Sequence, residues 1–353
     1  MSAGRVVRGA VAGAVFGLAT FGLGAGAEAQ DKKVRVQFQS NFNSTLPVIG
    51  QAAKYAAEMI EKTSGGTINV RYNEPGALVP PGQSFDAVAA GSLDAAWATP
   101  GFWTGKDIAF ALYASVPFGP NAGEYLAWMK WGGGEKLMQE LYKKYKIHSI
   151  LCGMIPPEAS GWFRKEIKSL DDLKGLKMRF FGLGAIVMQK LGVSTQLLQA
   201  GEIFQALQLG TIDATEFSMP ASDLQLGFYQ VAKHYYFPGW HQQSTFSDLM
   251  WSETKWNELS ATQKVQAQAA CDSALMYEFS LGEAEQFKAM REIQAKGVTI
   301  HRWPDDVLKQ FEKAWLEVVE ETKAKSPEFA KGWASYSKFR ADYAIWRENG
   351  YLK

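Results

Sequence analysis

The stretch LKMRFFGLGAIVMQKLGVSTQLLQAGEIFQALQLGTIDATEF, Leu176 to Phe217, decides the fold. It runs from a short apolar segment through a glycine loop into a helix, then a strand, a second helix and a turn into a final strand, the alternation of an open α/β sheet. Arg179 closes the first apolar segment just ahead of Gly182 and Gly184, so its guanidinium is expected at a strand end, where such sheets leave their ligand crevice. Glu216 and Phe217 close the last segment. A fixed positive fork and a carboxylate at neighbouring strand ends point to a site for a small anion, with a cation beside it as an option.

The same design occurs earlier in the chain. FDAVAAGSLDAAWATPGFW, Phe85 to Trp103, aligns with FQALQLGTIDATEFSMPAS, Phe204 to Ser222, sharing Phe, Ala, Gly, a hydroxyl residue, an aliphatic residue and Asp-Ala in register. A helix, a glycine turn and a strand used twice predict two lobes; a solenoid needs several contiguous copies. Asp94 and Asp213, one in each copy, are expected to fix the turn.

Residues 1–29 carry Arg5 and Arg8, an apolar run from Ala10 to Leu23, and small residues at Ala27 and Ala29. This is the layout of a signal peptide cleaved after Ala29, so the mature chain is expected outside the cytoplasmic membrane. No later stretch approaches the roughly 20 apolar residues of a membrane helix. With 37 basic against 36 acidic residues and no charge run, the composition argues against nucleic acid or an anionic membrane surface as the partner. Twelve Trp, 13 Tyr and 21 Phe exceed what a core of this size needs and fit a site that closes over a small ligand. Cys152 lies in an apolar run and Cys271 in a helical segment, so two buried free thiols are expected rather than a bridge.

Along the chain, strands are expected over Val34–Ser40, Thr67–Asn73, Asp94–Ala98 and His148–Met154, with helices over Val48–Thr63, Ser84–Ala90 and Glu135–Tyr145. The first of these units predict a mostly parallel sheet with helices on both faces. Phe102 and Trp103 follow the repeated strand and are candidates for ligand contact. Long helices are expected over Glu253–Phe287, with a start at Ser260, and over Asp305–Lys325; they either brace both lobes or meet a second subunit.

No catalytic constellation is present: the four histidines are scattered, and there is no HExxH, GxSxG or Walker loop. FGLGAIVMQKLG falls short of a dinucleotide fingerprint. Arg179 must be paired or solvated; a structural salt bridge to Asp172 or Asp213 is weighed against ligand binding, which the flanking glycines favour. Alanine at Arg179 is expected to abolish binding while leaving the fold intact.

GWFRKEIKSLDDLKGLKMRFFGLGAIVMQKLGV, GEIFQALQLGTIDATEF and VAKHYYFPGW together resemble the DctP-type substrate-binding proteins of tripartite ATP-independent periplasmic (TRAP) transporters, most closely the α-keto-acid-binding branch. The likeness covers essentially the whole mature chain. It implies a two-lobed α/β fold like that of type II periplasmic binding proteins, each lobe a mixed sheet flanked by helices, with a long helix spanning both. The lobes are expected at 30–150 and 151–250, and C-terminal helices over 251–353 that brace them or form a homodimer contact. Arg179 takes the position that clamps the ligand carboxylate bidentately, and Trp103, Phe217 and Trp240 wall the site. A cation, Na⁺ or Ca²⁺, falls to Glu158, Glu216, Gln242 and the Phe217 carbonyl, with no organic cofactor. In the branch the position of Glu158 ordinarily holds Gln and that of Gln242 Glu, so two carboxyl and amide groups have changed places and the charge offered to a cation is unchanged. Phe217 replaces the usual Trp, which implies room for an acid bulkier than pyruvate.

The implied function is a periplasmic receptor that hands a small organic monocarboxylate, of 2-oxo or 2-hydroxy type, to a membrane permease. Two rivals stand beside it: a periplasmic hydrolase or lyase using Glu158 and Glu216 as acid and base, and the ligand-capture partner of a sensor.

Overall fold

The structure, a computed structural model, describes residues 1–4, 9 and 31–352. The chain falls into two units, Met1–Asp31 and Lys32–Lys353, and the second carries the fold. The expected export segment and its cleavage point after Ala29 lie almost wholly outside the described residues.

Two sheets organise two lobes. The first contains β1 (Val34–Ser40), β2 (Ile68–Asn73), β3 (Ala95–Ala98), β4 (Ile147–Ile155) and β10 (Thr245–Ser252), in the order β2-β1-β3-β10-β4. The second contains β5 (Gly161–Phe163), β6 (Lys177–Arg179), β7 (Ser194–Gln196), β8 (Ala214–Thr215), β9 (His234–Phe237) and β11 (Thr299–Arg302), in the order β11-β9-β5-β8-β6-β7. The helices are α1 (Ile49–Thr63), α2 (Ser84–Ala89), α3 (Ala122–Trp131), α4 (Gly134–Lys143), α5 (Gly182–Lys190), α6 (Ala200–Gln208), α7 (Pro220–Leu226), α8 (Glu253–Glu258), α9 (Ala261–Ala295), α10 (Asp305–Lys325) and α11 (Pro327–Asn349).

The repeat seen in the sequence is a repeat of topology. In one lobe β1 runs parallel to β2 and β3, and β3 lies antiparallel to β10; in the other β6 runs parallel to β7 and β8, and β8 lies antiparallel to β5. The repeated aspartates do the same work in each copy. Asp94 accepts the Gln37 N–H at 2.8 Å and Asp213 the Lys177 N–H at 2.9 Å, so each pins its glycine turn to the neighbouring parallel strand.

The parallel pairing expected of the first units holds for β1, β2 and β3, and the sheet becomes mixed because the single reversed strand β10 lies antiparallel between β3 and β4. The boundaries expected at 150 and 250 fall inside those two strands. The chain therefore crosses between sheets at 156–160 and returns at 238–244. A third connection is α9, which packs on α1 and β4 in the first lobe and on α7 in the second. The helix expected over Glu253–Phe287 is divided at Leu259, whose backbone is extended, and α9 then runs on to Ala295. Its start is a capping box: Ser260 Oγ accepts the Gln263 N–H and Gln263 Oε1 accepts the Ser260 N–H, both at 3.0 Å. The C-terminal helices pack within the chain, through Trp315 on Trp333 and through the buried Glu124, which holds Arg340 at 3.0 Å and Arg347 at 2.9 Å.

Cys152 and Cys271 form a disulfide, which corrects the expectation of two free thiols. Each residue alone reads as a small apolar filler. Packing of α9 on β4 brings their Cα atoms to 4.2 Å, a proximity no sequence spacing carries. The bridge closes a loop over a sequence separation of 119, so chain entropy predicts that replacing both cysteines by alanine lowers the unfolding free energy by about 4 to 5 kcal/mol. Urea titration of that variant should show a clearly lower midpoint; an unchanged midpoint would contradict the bridge.

Asp248, at the centre of β10, is fully buried, and burial pushes its carboxyl up to about 7 against the smaller opposing effect of the Ser149 hydroxyl, which donates to it at 2.6 Å. The folded state favours the protonated acid. Its contribution is whole below about pH 4 and is lost as pH rises through about 7. Asp248→Asn should flatten that decline in melting temperature, and a variant profile parallel to wild type would refute the assignment.

Candidate ligand-binding site

Arg179 is the last residue of β6 and is 1% exposed. The parallel register of β6 with β8 sets it against Thr215, so Glu216 follows immediately beside it. Arg179 Nη1 donates to the Glu216 carbonyl at 2.6 Å and to Glu216 Oε1 at 2.7 Å, Nε donates to the Leu198 carbonyl at 3.3 Å, and the guanidinium lies over the Phe217 ring at 5.4 Å. Among the described residues only Nη2 of the guanidinium has no protein partner. Asp172 and Asp213, the partners weighed for Arg179, are engaged elsewhere, on the N–H groups of Lys168 and Ser169 and of Lys177. Glu216 is fully buried and its Oε1 also accepts the Phe181 N–H at 2.6 Å. Burial alone would raise its carboxyl, but Arg179, His241 and the Phe181 N–H outweigh it and hold the group below the usual carboxylate range.

Glu158 and Gln242 sit on the two crossing segments, which are hydrogen-bonded to each other. The Glu158 N–H donates to the Gln242 carbonyl at 3.2 Å and the Gly239 N–H to the Glu158 carbonyl at 3.0 Å. Glycine is required at 239, since a Cβ there would stand 2.3 Å from the Glu158 carbonyl oxygen. Glu158 Oε1 accepts the Ser218 hydroxyl at 3.3 Å, and Gln242 Nε2 donates to the Thr245 hydroxyl at 2.8 Å. Burial, then the nearby Glu216 and Asp223, push the Glu158 carboxyl well above its ordinary value.

Arg179, Glu158, Phe217 and Gln242 line one small cavity between the lobes, together with Thr99, Phe102 and Phe181. Glu158 Oε2, Glu216 Oε2 and Gln242 Oε1 are buried without a hydrogen-bond partner. Such groups are costly unless something satisfies them, and a set of carboxylate and amide oxygens suits a hard cation such as Na⁺ or Ca²⁺. A larger cavity of about 840 Å³, lined by Asn41, Glu74, Gln199 and Glu202 among others, holds no such cluster of unpartnered groups.

Trp103 and Trp240 do not line the small cavity. The single 3₁₀ turn Pro100–Trp103 sends Phe102 toward it and Trp103 into the core against Phe85, ring centroids 5.3 Å apart; Trp240 packs against Phe118 and Phe311. His241 and Thr99 were not singled out from the sequence. His241 is 1% exposed with both ring nitrogens unpartnered, its Nε2 is 3.6 Å from Glu216 Oε2, and with Glu158 and Glu216 it makes a trio of candidate metal ligands within 4.8 Å of one another. Its place between Trp240 and Gln242 was the available signal. Across the cleft the lobes touch through Ser222 Oγ, which donates to the Pro47 carbonyl at 2.9 Å, and through Phe102 edge-on to Phe181 at 5.0 Å.

The chain matches the family model described as bacterial extracellular solute-binding protein, family 7 (DctP), over residues 39–326. A monocarboxylate 2-oxoacid-binding periplasmic protein from Nostoc sp. is 33% identical over 294 residues, which cover 83% of this chain and 81% of that protein. Among solved structures, a TRAP transporter solute-binding protein from Bordetella bronchiseptica, with calcium and picolinate bound, is 34% identical with a TM-score of 0.87, over 89% of this chain and 94% of that one. A TRAP periplasmic solute-binding protein from Pseudoalteromonas atlantica, with sodium and pyruvate bound, is 32% identical with a TM-score of 0.86, over 89% and 96%. With its two lobes, its strand-end arginine and this breadth of similarity, the chain belongs to the DctP family, the solute-binding proteins of TRAP transporters.

Proposed function

We propose that the protein is a periplasmic receptor that captures a small organic monocarboxylate, of 2-oxo or 2-hydroxy type, together with a cation, and delivers it to the membrane permease. The observation that carries this reading is the cluster of buried, unpartnered oxygens of Glu158, Glu216 and Gln242 beside the one free nitrogen of Arg179. Arg179 Nη2 pairs with the ligand carboxylate. Glu158, Glu216, Gln242 and the Phe217 carbonyl hold Na⁺ or Ca²⁺ against the ligand's other oxygens, while Phe102, Phe181 and Phe217 wall it. The relatives with bound pyruvate or picolinate and bound sodium or calcium support the pairing of acid and cation. Export through residues 1–29 with cleavage after Ala29 belongs to the proposal, as does a homodimer through the C-terminal helices, where Ile345 and Trp346 are exposed. No bond is made or broken. The opposed shifts of Glu158 and Glu216 would suit an acid and a base, but both oxygens of a base at Glu216 would have to compete with Arg179, Phe181 and His241.

Thermal melting of the chain from Gln30 onward against 2-oxo, 2-hydroxy, aromatic, dicarboxylic and sugar acids, with and without Na⁺ or Ca²⁺, tests the reading. A thousandfold excess over Kd stabilises by about 4 kcal/mol, so one acid class should raise the melting temperature clearly, and more so with the cation. Product formation from any of these acids, or no shift after unfolding and refolding to remove a carried-over ligand, would overturn it.

Arg179→Ala should abolish binding, but not silently: it strands Glu216 as a buried charge and should cost about 3 to 5 kcal/mol of stability. Full affinity in the folded variant would remove Arg179 from the site. Gly101 provides a separate test of lobe closure. A Cβ at 101 would stand 2.3 Å from Cζ of Phe181 on the opposite lobe. Gly101→Ala should therefore weaken acid binding by tenfold or more, on the order of 1.4 kcal/mol, with little change in ligand-free melting. Calorimetric titration that finds equal affinity would rule out this closed contact in the bound state.

A further inference from the structure

We infer that Thr99 is the first lobe's polar contact with the bound acid, donating its hydroxyl to a ligand oxygen while Arg179 and the cation ligands hold the ligand from the other side. This rests on the receptor reading and adds the residue through which the opposite lobe recognises the ligand. Thr99 follows β3 directly and stands at the head of the 3₁₀ turn Pro100–Trp103. A threonine there ordinarily turns its hydroxyl back to accept a backbone N–H of the turn. Here no such bond forms; the turn is closed instead by the Thr99 carbonyl, which accepts the Phe102 N–H at 3.1 Å. Thr99 is 5% exposed, its Oγ1 is buried without any partner, and it lines the same cavity as Arg179, Glu158 and Gln242. Buried hydroxyls are almost always hydrogen-bonded, so one left free beside a ligand cavity calls for a partner from outside the fold.

The internal repeat points the same way. Aligning Phe85–Trp103 with Phe204–Ser222 sets Thr99 on Ser218. Each copy thus carries a hydroxyl just beyond its strand. That of Ser218 is engaged by Glu158 at 3.3 Å, and that of Thr99 is free. The unpartnered oxygens of the Glu216 carboxylate and the Gln242 amide accept and do not donate. A 2-oxo monocarboxylate likewise has only acceptor oxygens, so it needs donors. Arg179 Nη2 supplies one on the second lobe and the Thr99 hydroxyl supplies one on the first.

Thr99→Val keeps the shape and removes the hydroxyl, while Thr99→Ser keeps the hydroxyl. Titration calorimetry with pyruvate and with phenylpyruvate, each in calcium chloride, should find Thr99→Val weaker than wild type by about tenfold and Thr99→Ser much closer to it. Ligand-free melting of Thr99→Val should match or exceed wild type, because an unpartnered buried hydroxyl has been removed. Equal affinity of Thr99→Val and wild type would overturn the role of Thr99 and leave the receptor reading standing. Wild type that binds neither acid would overturn this inference for 2-oxo acids, and only the wider acid panel would then decide the receptor reading.

Discussion

The buried pair of Arg179 and Glu216 is the constraint on which the site depends. Neither charge survives in the interior alone, so each must be met by groups whose positions are already set by strand register. Arg179 at the end of β6 meets the carbonyl and carboxylate of Glu216 just beyond β8, and Glu216 in turn takes the Phe181 N–H. Once these bonds are made, one nitrogen of the guanidinium and one oxygen of the carboxylate remain. The pair is neutral as a unit. An anion entering beside it in a low-dielectric cavity needs a countercharge.

Duplication supplies the cleft but not its chemistry. The registers Phe38 with Ala95 and Met178 with Ala214 make Gln39 the first-lobe counterpart of Arg179, and the aligned repeats make Trp97 the counterpart of Glu216. Gln39 is buried and fully employed by Leu78 and Val79, and Trp97 is in the core. The same backbone is therefore apolar on one side of the cleft and charged on the other. Thr99 and Ser218 are a hydroxyl that the copies keep in common just beyond the strand.

The remaining candidate residues ride on neither lobe. Glu158 and Gln242 belong to the crossing segments, held side by side by backbone hydrogen bonds and by the close approach that Gly239 permits. Residues on the connection between lobes are well placed to register a change in how the lobes meet. The third connection, α9, is tied to β4 by the disulfide, so on the first-lobe side it is covalently fixed.

Much of this was legible in the chain. Alternating apolar segments, capping residues and the repeated glycine-aspartate turn determined two α/β lobes, and the positions of most strands and helices follow within a residue or two, because these patterns are local. The candidate residues Arg179, Glu158, Phe217 and Gln242 came from their strand-end and turn positions and from family likeness, and they line one cavity, with Glu216 directly behind Arg179. What the sequence could not carry was direction and proximity across long separations. It did not say that Trp103 turns inward while its neighbour Phe102 faces the cleft, that Cys152 and Cys271 meet, that Arg179 pairs with Glu216 rather than Asp172 or Asp213, or that His241 and Thr99 point free polar groups at the site. Those outcomes depend on which helix packs on which strand and on which hydrogen bonds are already taken, and only the tertiary structure decides them.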